Sequence, residues 1–374
     1  NNYPSKAFLE KELRSGRKLT LYAGYDPTAP TLHVGHGITL LKLRQFQDLG
    51  HRVIMLIGDF TGMIGDPTDK SAARQRLTRK QVLENCKAYK KQAGMILKFS
   101  GKNAAEIKFN SKWLRKMVLE DVVELGAHVT VQRMLERDMF EKRMEEGRPI
   151  YFHEFLYPLM QGYDSVAMDV DGEVGGNDQT FNMLVGRELL KEMKQKEKFV
   201  LTSKLLTDST GKKMGKTEGN MIALSDSAED MFGKVMSWSD DMIKNAFELC
   251  TTLPMEEMTA AASSANPRDA KLRLAFEITK TFLGEKAAQT GQDHFASVIQ
   301  NKEKPSDIPA IKPSSYHILT VLVEGQLVTS KNEARRAIEQ NGVKVNDVVI
   351  TSFDVEVKKG DIVQKGKRFF VKVL

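Results

Sequence analysis

The residues best equipped for chemistry lie in two short stretches far apart in the chain. His33 and His36 flank Gly35 in Thr31-Leu-His-Val-Gly-His36, where a Pro- and Thr-rich loop turns into a helix. Two imidazoles above the positive end of a helix make a site for an anion, and a phosphate is the natural guest. The second stretch interleaves Lys212, Lys213 and Lys216 with Gly211, Gly215 and Gly219, with Thr217 following the last lysine. That composition suits a mobile cationic flap. A lysine-rich exposed turn is the commoner explanation of such a string in an arbitrary protein.

Three further stretches carry polar groups at informative spacings. Gly58, Gly62 and Gly65 lead into Asp66, Lys70 and Arg74. Glycines let backbone approach a ligand closely, and the two cations, four residues apart, share one face of a helical turn. Taken alone, the loop reads better as a glycine-rich turn before a solvated basic helix. It is neither a P-loop nor a dinucleotide fingerprint, because no Gly-Lys-Ser/Thr follows and the first βα turn lacks the required glycines. Tyr157, Gln161 and Asp164 fall at i, i+4 and i+7, on one face of a helix. Each needs a buried partner; a ligand bearing an amine and a hydroxyl would satisfy them, and an internal hydrogen-bond network would do so equally. Gly175, Gly176, Asp178 and Gln179 open a second βα turn whose small residues and carboxylate suit a ribose, while Asp178 serves as readily as an N-cap.

The elements needed to position these groups follow from hydrophobic pattern. Leu19–Gly24 is a short apolar run, 38–49 repeats apolar residues at helical spacing until Gly50, and Val53–Gly58 is apolar without alternation, as in a parallel sheet covered on both faces. Strand, helix and strand make a βαβ unit, whose ligands sit at the carboxyl ends of the strands. The pattern continues with a basic helix over 78–97, a strand at 106–109, and a largely helical stretch from Trp113 to Met144. The last reads as an insertion (about 111–150) between two halves of the sheet, with apolar residues for a dimer surface or for plain core packing. A strand at 165–170, a helix opening at Gly175 and running to about Met193, and a final strand at 199–202 complete the first domain, 1–224. Beyond Ala223 four periodic segments, 226–236, 239–251, 254–265 and 267–283, form a helical domain within 225–304. The stretch 301–313 is a polar, proline-rich linker. The tail, 314–374, reads as two helices (318–325 and 331–341) and short strands at 343–347, 355–361 and 369–373. Lys331, Arg335 and Arg336 lie on or near one face of its second helix. The expected fold is therefore α/β: a Rossmann-like parallel-sheet domain with a helical insertion, then an α-helical domain, then a small α+β domain.

Composition bounds the function. The 374 residues, 41% hydrophobic and 28% charged, describe a soluble globular chain of two or three domains. A net charge of +7 favours a polyanionic partner. Cys86 and Cys250 are the only cysteines, so neither a disulfide framework nor a cysteine metal site is expected. No run of some eighteen apolar residues appears, and the first residues lack the order of a secretory signal. The expectation is a cytoplasmic protein without a membrane partner, and a start at Asn rather than Met is compatible with a missing N-terminal piece.

The conjunction of these blocks is more specific than any one of them. His33-Val-Gly-His36 after the first strand and Lys213-Met-Gly-Lys216-Thr217 after the last resemble the paired signatures of class I aminoacyl-tRNA synthetases. More narrowly, Tyr22 to His36, Gly62-Met-Ile-Gly-Asp66-Pro, Tyr157-Pro-Leu-Met-Gln161-Gly-Tyr-Asp164 and Gly175-Gly-Asn-Asp178-Gln179 resemble bacterial tyrosyl-tRNA synthetases, in the family's order. The resemblance implies that Tyr22 and Asp164 bind the phenol of tyrosine, and that Tyr157, Asp66 and Gln161 hold its ammonium. Asp26 would lie at the join of amino acid and nucleotide, Gln179 near the substrate carboxylate, and Asp178 near the ribose, with Gly35, His36, Gly176 and Lys216 contacting ATP. Thr28, His33, His36, Lys70, Arg74, Lys213, Lys216 and Thr217 would stabilise the leaving pyrophosphate, so that catalysis comes from positioning and electrostatics rather than from a nucleophile or base. ATP would be a substrate, accompanied by magnesium; the partners would be tRNA(Tyr), tyrosine and a second copy of the chain. The helical domain would meet the anticodon arm, and the tail resembles the RNA-binding module that these enzymes share with a small-subunit ribosomal protein.

Four positions depart from the family pattern. Gly215 and Thr217 stand where the class often has serines, Ser71 where many relatives have a second lysine, and Ala23 where some have a small polar residue. A small-molecule nucleotidyltransferase would share the histidine site without needing two RNA-facing appendages. A non-catalytic RNA-binding descendant would keep the tail and lose His33, His36, Lys213 and Lys216. A tryptophan enzyme would have no use for a carboxylate opposite a phenol.

Overall fold

The structure is a computed structural model that describes residues 1–67, 77–207, 221–300, 308–366 and 369–374. It divides into two compact units, 1–288 and 289–374.

The first unit is built on β1 (Asn2–Tyr3), β2 (Thr20–Tyr25), β3 (Arg52–Ile57), β4 (Glu106–Phe109), β5 (Gly172–Gly176) and β6 (Phe199–Ser203), in the order β1-β6-β5-β2-β3-β4. All neighbours are parallel except β1, which pairs antiparallel with the edge of β6. From β2 the chain moves outward through β3 to β4, then returns to place β5 on the opposite side of β2. The order therefore reverses between β2 and β5, and a crevice opens at their carboxyl ends. Register sets Tyr22 of β2 opposite Ile54 on one side and Glu173 on the other. β3 is buried at every residue but Arg52, which fits its unbroken apolar run.

Helices cover both faces of this sheet. α1 (Lys6–Arg14) precedes it, and α2 (Val34–Asp48) starts at the first signature, four residues earlier than apolar periodicity alone indicates. The basic segment 78–97 is broken into α3 (Arg79–Asn85), a single tight turn at 86–88 and α4 (Tyr89–Ala93). The insertion forms α5 (Ser111–Leu114), α6 (Leu119–Ala127), α7 (Val131–Leu135) and α8 (Asp138–Glu145). The expected strand at 165–170 is instead the end of α9 (Phe152–Met168), which stops at Asp169 in the left-handed region (φ 51°). In the apolar run Val166-Ala-Met168, Val166 packs with residues of α10 (Thr180–Lys194) and Met168 with Tyr22, Ile54 and Leu56 of the sheet, and the strand begins four residues after it. Gly175 and Gly176 accordingly end β5 rather than open a helix.

Beyond β6, α11 (Ala228–Met236), α12 (Ile243–Cys250), α13 (Met255–Ala262) and α14 (Pro267–Leu283) match the four periodic segments closely. α14 meets the signature helix: a Cβ on Gly37 would lie 2.5 Å from Phe282 Cε1. α15 (Glu285–Phe295) carries the division between the two units.

The second unit packs α16 (Ile318–Glu324) and α17 (Lys331–Glu339) with a five-stranded sheet ordered β7-β11-β10-β8-β9. Its strands are β7 (Ala310–Ile311), β8 (Val343–Val345), β9 (Val348–Val349), β10 (Ile362–Lys365) and β11 (Phe369–Val373). β7 falls within the stretch read as linker. The strand expected at 355–361 is absent there: β8 pairs with β9 on one side and with β10 on the other, β10 with β11, and Glu356 makes only an isolated bridge to His317. Val355 and Val357 pack on the core from a non-ladder segment, which mimics strand alternation in the sequence.

Candidate active site

His33 is the N-cap of α2, and its ring stacks on His36 at 3.8 Å between centroids, with 24° between planes. The His33 backbone N–H donates to His36 Nδ1 at 3.2 Å. Gly35 is required by this stack, since a Cβ there would lie 2.9 Å from the His33 ring. His36 also meets the edge of Tyr25, whose hydroxyl lies 2.8 Å from Thr39 Oγ1. Residues that follow the second signature are stitched to the first: Val34 N donates to Ile222 O and Leu224 N to Leu32 O, both at 2.9 Å, around a bridge between His33 and Ala223. Lys70, Arg74, Lys213, Lys216 and Thr217 themselves lie outside the described residues. Thr28 is exposed in the loop between β2 and the histidines.

At the end of β2, Asp26 accepts hydrogen bonds from Tyr157 Oη (2.8 Å) and Thr61 Oγ1 (2.7 Å). Burial raises its pKa to about 7; the two hydrogen bonds oppose that rise, and the charges of Asp66 and Asp59 add to it. The glycine-rich loop serves this carboxylate more directly than a ligand, because a Cβ on Gly58 would fall 1.8 Å from Asp26 Oδ1 and 2.4 Å from Thr61 Oγ1. Gly58→Ala is therefore expected to displace Asp26 and lower kcat/KM for a reaction at this carboxylate about tenfold or more. Steady-state kinetics beside a melting curve checks this: unchanged kinetics would mean that Asp26 relaxes at no cost.

Gln179 Nε2 donates to Asp66 Oδ2 at 2.7 Å, and Asn182 Nδ2 donates to Gln161 Oε1 (2.9 Å) and Gln179 Oε1 (3.1 Å). Gln161, Asn182, Gln179 and Asp66 thus form one polar chain, with Asp178 and Gly176 in the turn beside it, while Tyr157 is hydrogen-bonded separately to Asp26. A Cβ on Gly176 would meet Asp178 Oδ1 at 2.5 Å. Burial, and then the charges of Asp26 and Asp66, hold the Tyr157 hydroxyl well above its usual pKa.

The phenol side is fully enclosed. Asp164 Oδ1 accepts from Trp113 Nε1 (2.7 Å) and Oδ2 from Asn110 Nδ2 (3.3 Å). Its pKa is raised by burial, against those two donors. Tyr22 is 0% exposed, its hydroxyl lies 2.9 Å from Ser165 Oγ, and burial followed by the charges of Glu173 and Asp164 pushes its pKa up. Thr61, Asn110, Trp113, Ser165, Glu173, Asn182 and Lys198 contribute to this network and were not singled out by sequence. Arg137 belongs with them: its buried guanidinium lies 3.8 Å from Asp66 Oδ1 and 5.2 Å from the Phe181 ring centre. In the second unit, Lys331, Arg335 and Arg336 are all exposed on α17.

Stacked histidines at a helix N-terminus by the switch point of a parallel sheet, with a buried phenol and carboxylate, are the arrangement of the catalytic domain of a class I aminoacyl-tRNA synthetase. The family model for class I tRNA synthetases (W and Y) matches residues 14–300, and that of the tyrosine--tRNA ligase SYY-like C-terminal domain matches 300–372. The chain belongs to the tyrosine--tRNA ligases. It is 44% identical to the tyrosine--tRNA ligase of Moorella thermoacetica over 98% of this chain and 91% of that one. It is likewise 44% identical to the tyrosine--tRNA ligase of Thermotoga maritima, over 98% and 92% respectively. Among solved structures, a C-terminally truncated mitochondrial tyrosyl-tRNA synthetase of Aspergillus nidulans superposes with a TM-score of 0.68 at 25% identity, over 80% of this chain and 91% of that one.

Proposed function

We propose that this chain joins L-tyrosine to ATP, releasing pyrophosphate, and passes the tyrosyl group to the 3′ end of tRNA(Tyr). The observation that carries the reading is the buried Tyr22 and Asp164 pair, set in the same crevice as the stacked histidines. Tyr22 and Asp164 take the substrate phenol, while Tyr157, Asp66 and Gln161 take its ammonium. The substrate carboxylate, left free beside Asp26 and Gln179, attacks the α-phosphorus of ATP; the bond to the bridging oxygen breaks and pyrophosphate leaves. A terminal ribose hydroxyl of tRNA then attacks the tyrosyl carbonyl and expels AMP. Gly35, His36, Gly176, Asp178 and Lys216 hold the nucleotide. Charge developing on pyrophosphate is met by Thr28, His33, His36, Lys70, Arg74, Lys213, Lys216 and Thr217, and no side chain has to act as nucleophile or base. Among the described residues no group of three or more His, Cys, Asp or Glu side chains could hold a metal ion. Magnesium enters on the phosphates of ATP, the usual mode for this ion.

Residues 1–224 are the catalytic domain, 225–304 meet the anticodon arm, and 314–374, with Lys331, Arg335 and Arg336, bind RNA with an affinity that falls as salt rises. No helix among the described residues is long and apolar enough to cross a membrane, and the place of action is the cytoplasm, where tRNA is charged. The working form is a homodimer. Leu119 (78% exposed), Val123 and Val118 on or beside α6, with Tyr151 and Phe152 (76%) at the start of α9, present apolar surface, and the same two helices line an apolar cavity of about 250 Å³. A second copy, bringing the same face about a two-fold axis, covers both. Leu119→Asp with Phe152→Asp is expected to convert a species of twice the monomer mass into monomer by sedimentation; an unchanged mass places the interface elsewhere.

ATP–pyrophosphate exchange with each of the twenty amino acids tests the function. Exchange with tyrosine alone supports it. No exchange with any of them, in a folded sample that binds ATP, would replace it with the RNA-binding descendant.

A further inference from the structure

Behind the phenol side of the crevice lies a buried ammonium with no part in the reaction just described. Lys198, immediately before β6, has a side chain 0% exposed. Its Nζ donates to Glu173 Oε2 and, at 2.7 Å, to Ser165 Oγ, and lies 5.8 Å from the centre of the Tyr22 ring. Glycines make room for this head group: a Cβ on Gly186 would be 2.9 Å from Nζ and 3.1 Å from Ser165 Oγ. Burial lowers the pKa of the ammonium, and the charges of Glu173 and Asp164 oppose that. A buried ion pair is weak evidence of stability, because desolvation offsets much of the attraction. Its place in the wall of a binding site calls for another account.

Hydrogen-bond direction supplies one. An ammonium can only donate. Ser165 Oγ accepts from Lys198, which favours turning its own hydrogen away from the charge, towards Tyr22 Oη at 2.9 Å, a contact in which either hydroxyl can donate. In that arrangement Tyr22 accepts from Ser165, and its own O–H, which also reaches the Glu173 carboxylate, is available to a further acceptor. With Asp164 accepting the hydrogen of the substrate phenol, that acceptor is the phenol oxygen. We propose that Lys198, held by Glu173, is a positioning residue that fixes the direction of hydrogen bonding through Ser165 and Tyr22, so that the site offers the substrate hydroxyl one donor and one acceptor. Without the ammonium, Ser165 and Tyr22 exchange roles, and part of the population presents two acceptors to a group with one hydrogen. The other oxygen of Glu173 faces Gln161 Nε2 at 3.5 Å, so the same pair also turns the Gln161 amide. The inference rests on the assignment of Tyr22 and Asp164 to the substrate phenol.

Lys198→Met alone would strand the Glu173 carboxylate in the interior. The informative variants are Ser165→Ala, which removes the middle link and keeps the ion pair, and Lys198→Met with Glu173→Gln, which removes both charges. Exchange kinetics with tyrosine, with phenylalanine and with varied ATP are read beside the melting temperature. The expected result is a rise in KM for tyrosine of about tenfold in each variant, the size of one lost internal hydrogen bond. KM for ATP and kcat/KM for phenylalanine should hold within about twofold, and Ser165→Thr, which keeps the hydroxyl, should restore the wild-type KM. If the double variant does not fold, Ser165→Ala decides alone. Equal losses with tyrosine and phenylalanine, or an unchanged KM for tyrosine in a folded variant, would overturn the proposal. A wild-type chain that exchanges with no amino acid would instead overturn the function on which it rests.

Discussion

Asp164→Ala is expected to lower kcat/KM for tyrosine in pyrophosphate exchange by about 10³-fold while leaving the value for phenylalanine within about tenfold of wild type. A hydrogen bond to a charged group contributes roughly 1.5–3 kcal/mol, and a buried hydroxyl left unpaired costs roughly 1–3 kcal/mol. Their sum, about 4 kcal/mol, corresponds to about three powers of ten. Phenylalanine brings no hydroxyl, so it loses neither contribution, and discrimination collapses from the tyrosine side. Tyrosyl-tRNA synthetase is itself the standard case of this effect, rejecting phenylalanine about 10⁵-fold without editing; that magnitude belongs to the family and is not worked out from these residues. The variant also strands Trp113 Nε1 and Asn110 Nδ2, both donors to the carboxylate, so a lower melting temperature accompanies the kinetic loss. The two are separable: a stability loss reduces the active fraction for both amino acids alike, whereas loss of recognition changes their ratio. An unchanged ratio would remove Asp164 from the phenol site.

The parts of this architecture that sequence reveals are those where local pattern and tertiary role coincide. β3 reads correctly because a strand buried on both faces has no polar alternation to confuse, the edge strand β4 because Glu106-Ile-Lys-Phe109 alternates polar and apolar residues, and α11 to α14 because each is bounded by Pro, Ser or Asn. The segment 165–170 misled for the opposite reason: the last turn of α9 is apolar on the face that meets α10 and carries the β-branched Val166, so six residues cannot distinguish helix from strand. In the tail, Val355 and Val357 alternate without being a ladder strand.

The site divides in the same way. Residues whose own chemistry falls at short spacing, such as His33 and His36 or Tyr157, Gln161 and Asp164, are visible as candidates in the sequence. Those that act by holding them do not. Asn110 and Trp113 reach Asp164 from 54 and 51 residues away, and Lys198 reaches Ser165 across 33. Only the sheet order brings them together. Gly58 was noticed for the right property, the absence of a side chain, but its neighbour is Asp26 and not a ligand. A glycine pattern tells that something comes close without telling what does.

Asp26 gives the strongest expected pH effect. Its carboxyl titrates near 7 in the folded chain, against about 3.9 when unfolded. Between these values the folded state holds a proton that the unfolded state has released, so the stability contribution is full below about pH 4 and is lost as pH rises to about 7, then level. Three pKa units set a ceiling on the order of 4 kcal/mol for that loss. Asp26→Asn has no proton to lose, so the difference between wild-type and variant melting temperatures should change across pH 4.5–7.5 and be constant above. Binding runs the other way. The ammonium placed on Tyr157, whose hydroxyl donates to Asp26, favours the ionised carboxyl, and the substrate carboxylate opposes it. With the ammonium dominant, KM for tyrosine in wild type should fall as pH rises from 6 to 8, with proton release on binding near pH 6.5, whereas a rise in KM would show that the carboxylate dominates. The variant should show a flat KM over that range and a value about tenfold higher at pH 8, because the carboxylate that accepts from Tyr157 has become a neutral amide. If Asp26→Asn keeps both slopes, the group that titrates near neutrality lies elsewhere in the crevice, and Asp26 is held there by Thr61 and Tyr157 as a structural acceptor only.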